Sequence, residues 1–114
     1  MTFESTRRRP TETGAMPAVV RDTIIGSRRT VTVIGNLKAP SRPATLSARA
    51  QLIPFTIFVD LFDIPGGTDA VDDLDYKAEL QNVPAGSYLV IVRHSVPRFP
   101  AAQLLQQSRV TVPD

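Results

Sequence analysis

The chain has no cysteine and no tryptophan, and its 114 residues include one histidine, His94. Without cysteine there can be no disulfide framework and no thiolate metal site. A single histidine cannot build a histidine metal triad, and the sequence lacks the G-x-S-x-G turn of a serine hydrolase. We therefore predict no catalytic residue, no metal ligand and no cofactor, and we predict that the protein is not an enzyme. His94 is expected to be a solvated side chain at the end of a strand.

Long apolar runs are also missing. No stretch approaches the roughly 18 residues that a membrane helix requires. The first residues, MTFESTRRRPTETGAMP, contain arginines but no apolar core, so they do not form a secretory signal as they stand. We expect no membrane insertion. The sequence is compatible with cytoplasmic synthesis or with a place in a particle, and it does not fix the compartment. The length suits one domain.

Charge is unevenly distributed along the chain. Residues 1–49 contain nine basic and three acidic side chains, a balance of +6, whereas residues 50–114 contain four basic and eight acidic ones, a balance of −4. Such asymmetry can direct one copy toward its neighbour or toward a protein partner. Nucleic acid is not the predicted partner, because the basic half offers only Phe3 as a stacking platform before Phe55. The basic residues predicted to bind a partner are Arg7, Arg8, Arg9, Arg28 and Arg29.

The first 17 residues differ in composition from the rest. They are rich in Thr, Arg, Glu and Pro and have few apolar side chains, so they cannot offset the entropy of their own ordering. We predict a basic N-terminal arm at residues 1–17, disordered alone, and a folded domain at residues 18–114.

Strict alternation of apolar and polar residues predicts strands at 44–52 and 55–62. Residues 76–94 are predicted to form a hairpin whose second strand, 88–92, is apolar on both faces and therefore central. Its turn, 83–87, contains proline and glycine. Further strands are predicted at 18–25, 29–34 and 109–112, and a possible short helix at 101–107.

The strand predicted at 55–62 carries two phenylalanines on the face opposite to its inward side chains. Phe58 and Phe62 fall on its outer face on either side of Asp60, and this arrangement predicts a surface that contacts another chain, a tail or a loop. The acidic residues 63–75 could instead form a calcium loop, because carboxylate oxygens suit that ion. They lack the D-x-D-x-D-G order, which favours a solvated or pairing loop.

About seven short strands separated by turn signals predict an all-β, two-sheet antiparallel β-sandwich, with an open meander or a small barrel as alternatives. The string YKAELQNVPAGSYLVIV at 76–92 resembles the penultimate hairpin of immunoglobulin-like and prealbumin-like modules, including carboxypeptidase regulatory-like and fibronectin type III domains. Residues 31–35 and 110–112 fit the first and last strands of such a module. The resemblance implies an immunoglobulin-like sandwich with an extended N-terminal arm.

The functional prediction is a non-catalytic structural or assembly module. It would pack in a larger protein complex, with copies of itself or with protein partners, through its basic arm and its outward aromatic patch. The resemblance is compatible with a virion-like particle, an injection machine or a surface assembly. The alternative is a small ligand-binding module for calcium or a polyanion.

Overall fold

The computed structural model describes residues 1–7, 22–40, 45–64, 72–96 and 102–114. These residues form two sheets of four strands each, in the orders β1-β6-β3-β2 and β4-β5-β7-β8, and none of them is helical. The predicted all-β class is confirmed, with eight strands instead of seven and an arrangement compatible with a β-sandwich. The strands are β1 Thr2–Arg7, β2 Thr23–Ser27, β3 Thr30–Ala39, β4 Thr45–Ile53, β5 Thr56–Ile64, β6 Asp72–Gln81, β7 Gly86–Ser95 and β8 Gln103–Val112.

The core lies between the two sheets and is filled by alternate residues of the inner strands. In β3, β5, β6 and β7, every second residue is buried. Many of these side chains are β-branched, and such side chains pack well on a pleated surface. The most completely buried aliphatic side chains are Val31, Val33, Ile57, Val59, Leu61, Val90, Val92 and Val112.

The strands β6 and β7 lie in different sheets, so the predicted hairpin at 76–94 is wrong in its pairing although both strands exist. The segment between them crosses from one sheet to the other. The Tyr88 hydroxyl donates a hydrogen bond to the Pro84 carbonyl oxygen at 2.8 Å, and the Val83 N–H donates to the Arg29 carbonyl oxygen at 3.0 Å. These bonds fix the crossing at both of its ends.

The pairing of β5 with β7 is parallel, whereas the other strand pairs are antiparallel. This departs from the predicted fully antiparallel sandwich. A parallel pair requires a long connection, and here that connection passes through β6 in the opposite sheet.

Two predicted segments differ from the structure. Residues 2–7 of the predicted disordered arm form β1, which pairs with β6 of the same chain and packs Phe3 against the core; residues 8–17 lie outside the described residues. The possible helix at 101–107 is also wrong, because residues from Gln103 onward form β8. At the sheet edge, one side of this backbone is hydrogen-bonded to β7, and this pairing overrides the helix propensity of the side chains.

Side chains and close backbone contacts tie the two sheets together along one side. Gly26 of β2 stands against the backbone of Thr111 in β8, so closely that a Cβ at position 26 would overlap the Thr111 carbonyl oxygen. The side-chain amide of Gln106 donates to the Tyr76 hydroxyl at 2.8 Å and to the Ile34 carbonyl oxygen at 3.0 Å. β8 is thereby joined to the opposite sheet.

Candidate interaction surface

The outer surfaces of the two sheets differ in composition. In the sheet containing β3 and β6, the outward positions of β6 are polar: Asp73, Asp75, Lys77, Glu79 and Gln81. In the other sheet, the outward positions of the two middle strands include four half-buried apolar side chains: Phe58 and Phe62 on β5, and Leu89 and Ile91 on β7. A sheet with one solvated face normally has polar residues on that face. The outward side of the second sheet therefore carries more apolar side chains on its middle strands than a solvated face normally does.

We call this surface the β5–β7 face and define it by Phe58, Phe62, Leu89 and Ile91 together with Arg49, Asp60 and Arg93. Its borders are mostly polar, because the outward residues of the edge strand β4 include Ser47 and Gln51, and those of β8 include Gln107 and Arg109. Leu104 of β8, the register partner of Arg93, adds one exposed apolar side chain to the border. All eight described strands belong to the two sheets, so none of them is left to cover this face.

An ion pair lies at the centre of the β5–β7 face. Asp60 and Arg93 are direct neighbours in the parallel register of β5 and β7. The Arg93 Nε donates to Asp60 Oδ1 at 2.7 Å and its Nη2 donates to Oδ2 at 3.0 Å, which is the two-point geometry that a guanidinium and a carboxylate favour. Hydrogen bonding to Asp60 is the main cause that raises the pKa of Arg93 above its usual value. The guanidinium is held in one orientation.

Both phenylalanines of the face lie beneath arginines. The Arg93 guanidinium carbon is 4.6 Å from the centre of the Phe58 ring, and that of Arg49 is 5.5 Å from the centre of the Phe62 ring. Cation–π contacts of this kind hold the positive charge over an apolar surface. The face therefore presents oriented guanidinium groups within an apolar background, an arrangement suited to binding another protein surface.

The structure does not bring the predicted partner-binding residues into one surface. Phe58 and Phe62 lie on the β5–β7 face, as the parity of the strand indicates. Arg28 and Arg29 are exposed in the turn between β2 and β3, at one end of the two-sheet stack. Arg7 belongs to β1 in the opposite sheet, and Arg8 and Arg9 lie outside the described residues.

Sequence reasoning placed Asp60 between the two phenylalanines but missed four other members of the face: Arg49, Leu89, Ile91 and Arg93. The alternation of β7 places residues 89, 91 and 93 on one side, and this signal was available. What the sequence does not reveal is the parallel pairing of β5 with β7, which brings Asp60 to Arg93.

His94 is not a solvated side chain, contrary to the prediction. It is 3% exposed, and its Nε2 lies 2.6 Å from Oδ1 of Asp63, which is also buried. Among the residues that the structure describes, none is a hydrogen-bond partner of Asp63 Oδ2. The reason for the difference is parity: His94 follows Val90 and Val92 on the inward side of β7, and β7 continues to Ser95.

The described acidic residues of the proposed calcium loop have other partners. Asp63 pairs with His94, and the side-chain amide of Asn36 donates to the carboxylates of Asp73 and Asp75. In the part of the chain that the structure describes, no group of three or more His, Cys, Asp or Glu side chains is arranged to hold a metal ion. The calcium alternative thus gains no support from these residues.

No protein-family model matches the chain, and the searches of curated proteins and of solved structures found no significant match. Within the described ranges, no helix is long and apolar enough to cross a membrane.

Proposed function

We propose that the protein is a non-catalytic structural module that packs in a larger protein assembly through its β5–β7 face. The observation that carries the proposal is the cluster of four apolar side chains at outward positions of β5 and β7, between edge strands whose outward residues are mostly polar. Protein interfaces are likewise enriched in aromatic and arginine side chains at their centre and have a polar rim. The occupant of the face is another copy of the chain or a protein partner.

The pairing of aromatic rings with arginines supports this choice of surface. Aromatic and arginine side chains supply much of the binding energy at interfaces. Arg93 is held by Asp60 and by the Phe58 ring, so less side-chain freedom would be lost when a partner binds. A partner that presents backbone carbonyl oxygens or a carboxylate would complement the remaining guanidinium donors.

The finer parts of the functional prediction belong to the same proposal. The hydrogen bond from the Tyr88 hydroxyl to Pro84 resembles the tyrosine corner of immunoglobulin-like sandwiches, and this likeness supports an immunoglobulin-like relationship. The basic N-terminal arm would add contacts to the partner, and a virion-like particle, an injection machine or a surface assembly would provide the setting.

Site-specific photo-crosslinking in the native host tests the proposal. One variant carries p-benzoylphenylalanine in place of Phe62, and the matched control carries it in place of Ile25, an exposed residue on the outer surface of the opposite sheet. We expect position 62 to crosslink to one defined protein, identified by mass spectrometry as another copy or as a single partner. Position 25 should not crosslink to that protein.

A matched pair of charge substitutions tests whether the face itself is required. Ile91→Glu places a carboxylate within the apolar centre, and Ile25→Glu makes the same change on the opposite sheet. Each substitution is combined with the photo-crosslinking residue at position 62 in one chain. We expect Ile91→Glu to abolish the crosslinked species and Ile25→Glu to leave it unchanged. Failure of position 62 to crosslink, or equal crosslinking from position 25, would refute the assignment of this face.

A further inference from the structure

One end of the two-sheet stack exposes a cluster of large apolar side chains. This end, which we call the turn end, carries the β2–β3 turn, the β4–β5 turn and the β6–β7 crossing. Around the β4–β5 turn, Leu52 is 49% exposed, Ile53 is 41% exposed and Phe55 is 74% exposed. Proline at position 54 adds to the same apolar tip. A run of this kind at a strand turn is unusual, because turns normally carry polar residues or glycine.

Phe55 combines a strained backbone conformation with an exposed side chain. Phe55 has a φ of 67°, in the left-handed region that glycine or asparagine tolerates best. Its carbonyl oxygen accepts a hydrogen bond from the Leu89 N–H at 3.0 Å, so the turn is fixed to the adjacent strand. A bulky residue in a strained position is a pointer to function. Here the strain holds an aromatic ring out from the protein surface.

Positive charge lies next to this tip. An open apolar pocket of about 370 Å³ beside Phe55 includes Pro84 and Ala85 in its wall. A second open groove of about 620 Å³ shares these two residues and is lined further by Arg28 and Arg29, both exposed, and by Asp114. The apolar tip and the two arginines therefore adjoin at the same end of the molecule.

We propose that the turn end docks onto an anionic lipid surface. In this arrangement the side chains of Leu52, Ile53 and Phe55 enter the boundary between headgroups and acyl chains, and Arg28 and Arg29 contact lipid phosphates. Peripheral membrane binding generally combines buried apolar area with attraction between basic residues and anionic lipids. The apolar tip projects outward and the hollows beside it are shallow and open, which suits a deformable surface. The Asp114 carboxylate opposes the attraction.

Sedimentation with vesicles tests the proposal, using phosphatidylcholine alone and phosphatidylcholine mixed with phosphatidylserine. We expect binding to the mixed vesicles only. Because a fully buried phenylalanine contributes about 1.5–3 kcal/mol, removal of the Phe55 ring should weaken the vesicle affinity about tenfold or more. Arg28→Gln and Arg29→Gln should each weaken it roughly fivefold, since one basic residue near an anionic surface contributes about 1 kcal/mol. Asp114→Asn should strengthen it.

Phe55→Gly separates binding from folding. Glycine adopts a positive φ without strain, so this variant should be at least as stable as the wild type while it loses vesicle binding. Phe55→Trp supplies a direct reporter, because the chain contains no other tryptophan. Its fluorescence should shift to the blue on addition of the mixed vesicles. Ile91→Glu changes the β5–β7 face and leaves the turn end intact, so it should bind vesicles as the wild type does. Vesicle binding therefore tests this proposal independently of the proposed protein interface.

The proposal would be overturned if the wild type bound both kinds of vesicle equally well, or if it bound neither. Unchanged binding by Phe55→Gly would also overturn it. So would photo-crosslinking from position 55 to a protein in the native host under conditions in which no lipid adduct forms.

Discussion

The buried pair of His94 and Asp63 makes a strong prediction about stability. Both side chains are almost fully enclosed, at 2% and 5% exposure, and they meet at 2.6 Å. His94→Leu would remove the hydrogen-bond partner of Oδ1, and Oδ2 has none in the described part of the chain, so neither oxygen of the buried carboxylate would have a partner there. Breaking a buried pair from one side typically costs about 3–5 kcal/mol. We expect the free energy of unfolding to fall by this amount.

Replacing both members of the pair should restore most of the loss. The double variant Asp63→Val with His94→Leu replaces both members of the pair with apolar side chains of similar volume. Apolar replacements of a buried pair are often neutral or stabilising by about 1–4 kcal/mol. The two substitutions should therefore be strongly non-additive, because each single variant leaves one polar group without its partner.

Urea unfolding of the wild type, both single variants and the double variant gives these values, with linear extrapolation to water. Circular dichroism of each folded variant provides the control that the strands are retained. The reasoning is refuted if His94→Leu lowers the free energy of unfolding by less than about 1 kcal/mol, or if the double variant is as unstable as the two single losses added together.

Three further predictions concern other contacts. Burial raises the pKa of Tyr76 to about 12 from 10.0, so the folded state holds this proton more tightly than the unfolded chain does. The resulting stabilisation, of roughly 2–3 kcal/mol, should be complete below pH 10 and lost as the pH rises toward 12. The free energy of unfolding, measured between pH 10 and 12, should therefore fall in the wild type, and Tyr76→Phe should lack this part of the decrease. Gly26→Ala should lower the free energy of unfolding by about 1–3 kcal/mol, because the new methyl group forces β2 away from Thr111; unchanged urea unfolding would contradict this. Asp60→Asn should change the free energy of unfolding by less than about 1 kcal/mol, since Arg93 is partly exposed. The same substitution should weaken photo-crosslinking from position 62, because Arg93 would no longer be held in one orientation. Crosslinking at the wild-type level would contradict a role for the oriented guanidinium.

The strands with one buried face were predictable from the sequence. The alternation at 44–52 and 55–62 corresponds to β4 and β5 with shifts of one or two residues at their ends. β5 buries alternate side chains along its length, and β4 turns Leu46, Ala48 and Ala50 inward, so both patterns follow from the two-residue period of extended chain.

Strand partners were not predictable from the same pattern. Two consecutive strands show the same alternation of buried and exposed residues whether they pair in one sheet or lie in opposite sheets. Residues 76–94 therefore fit a hairpin and a crossing between sheets equally well. β1 was missed, and β8 was predicted only at its last four residues, 109–112, for a related reason. Their side chains carry little strand signal, and backbone hydrogen bonds to β6 and β7 determine their conformation.

The candidate site was predictable only in part. The outward positions of Phe58 and Phe62 followed from parity, and the structure places both on the outer surface of β5. The arginines that cover them come from strands whose order the sequence does not specify.

The pairing of β1 with β6 has a consequence for synthesis on the ribosome. β1 is synthesised before β6, so its backbone groups must wait for Asp72–Gln81 before they find their partners. Contacts between distant parts of a chain form slowly, and strand edges that wait unpaired are prone to aggregate. A nascent chain stalled before β6 would therefore present both a free β1 and the free edge of β3 to its surroundings, and chaperone capture should be strongest at that length.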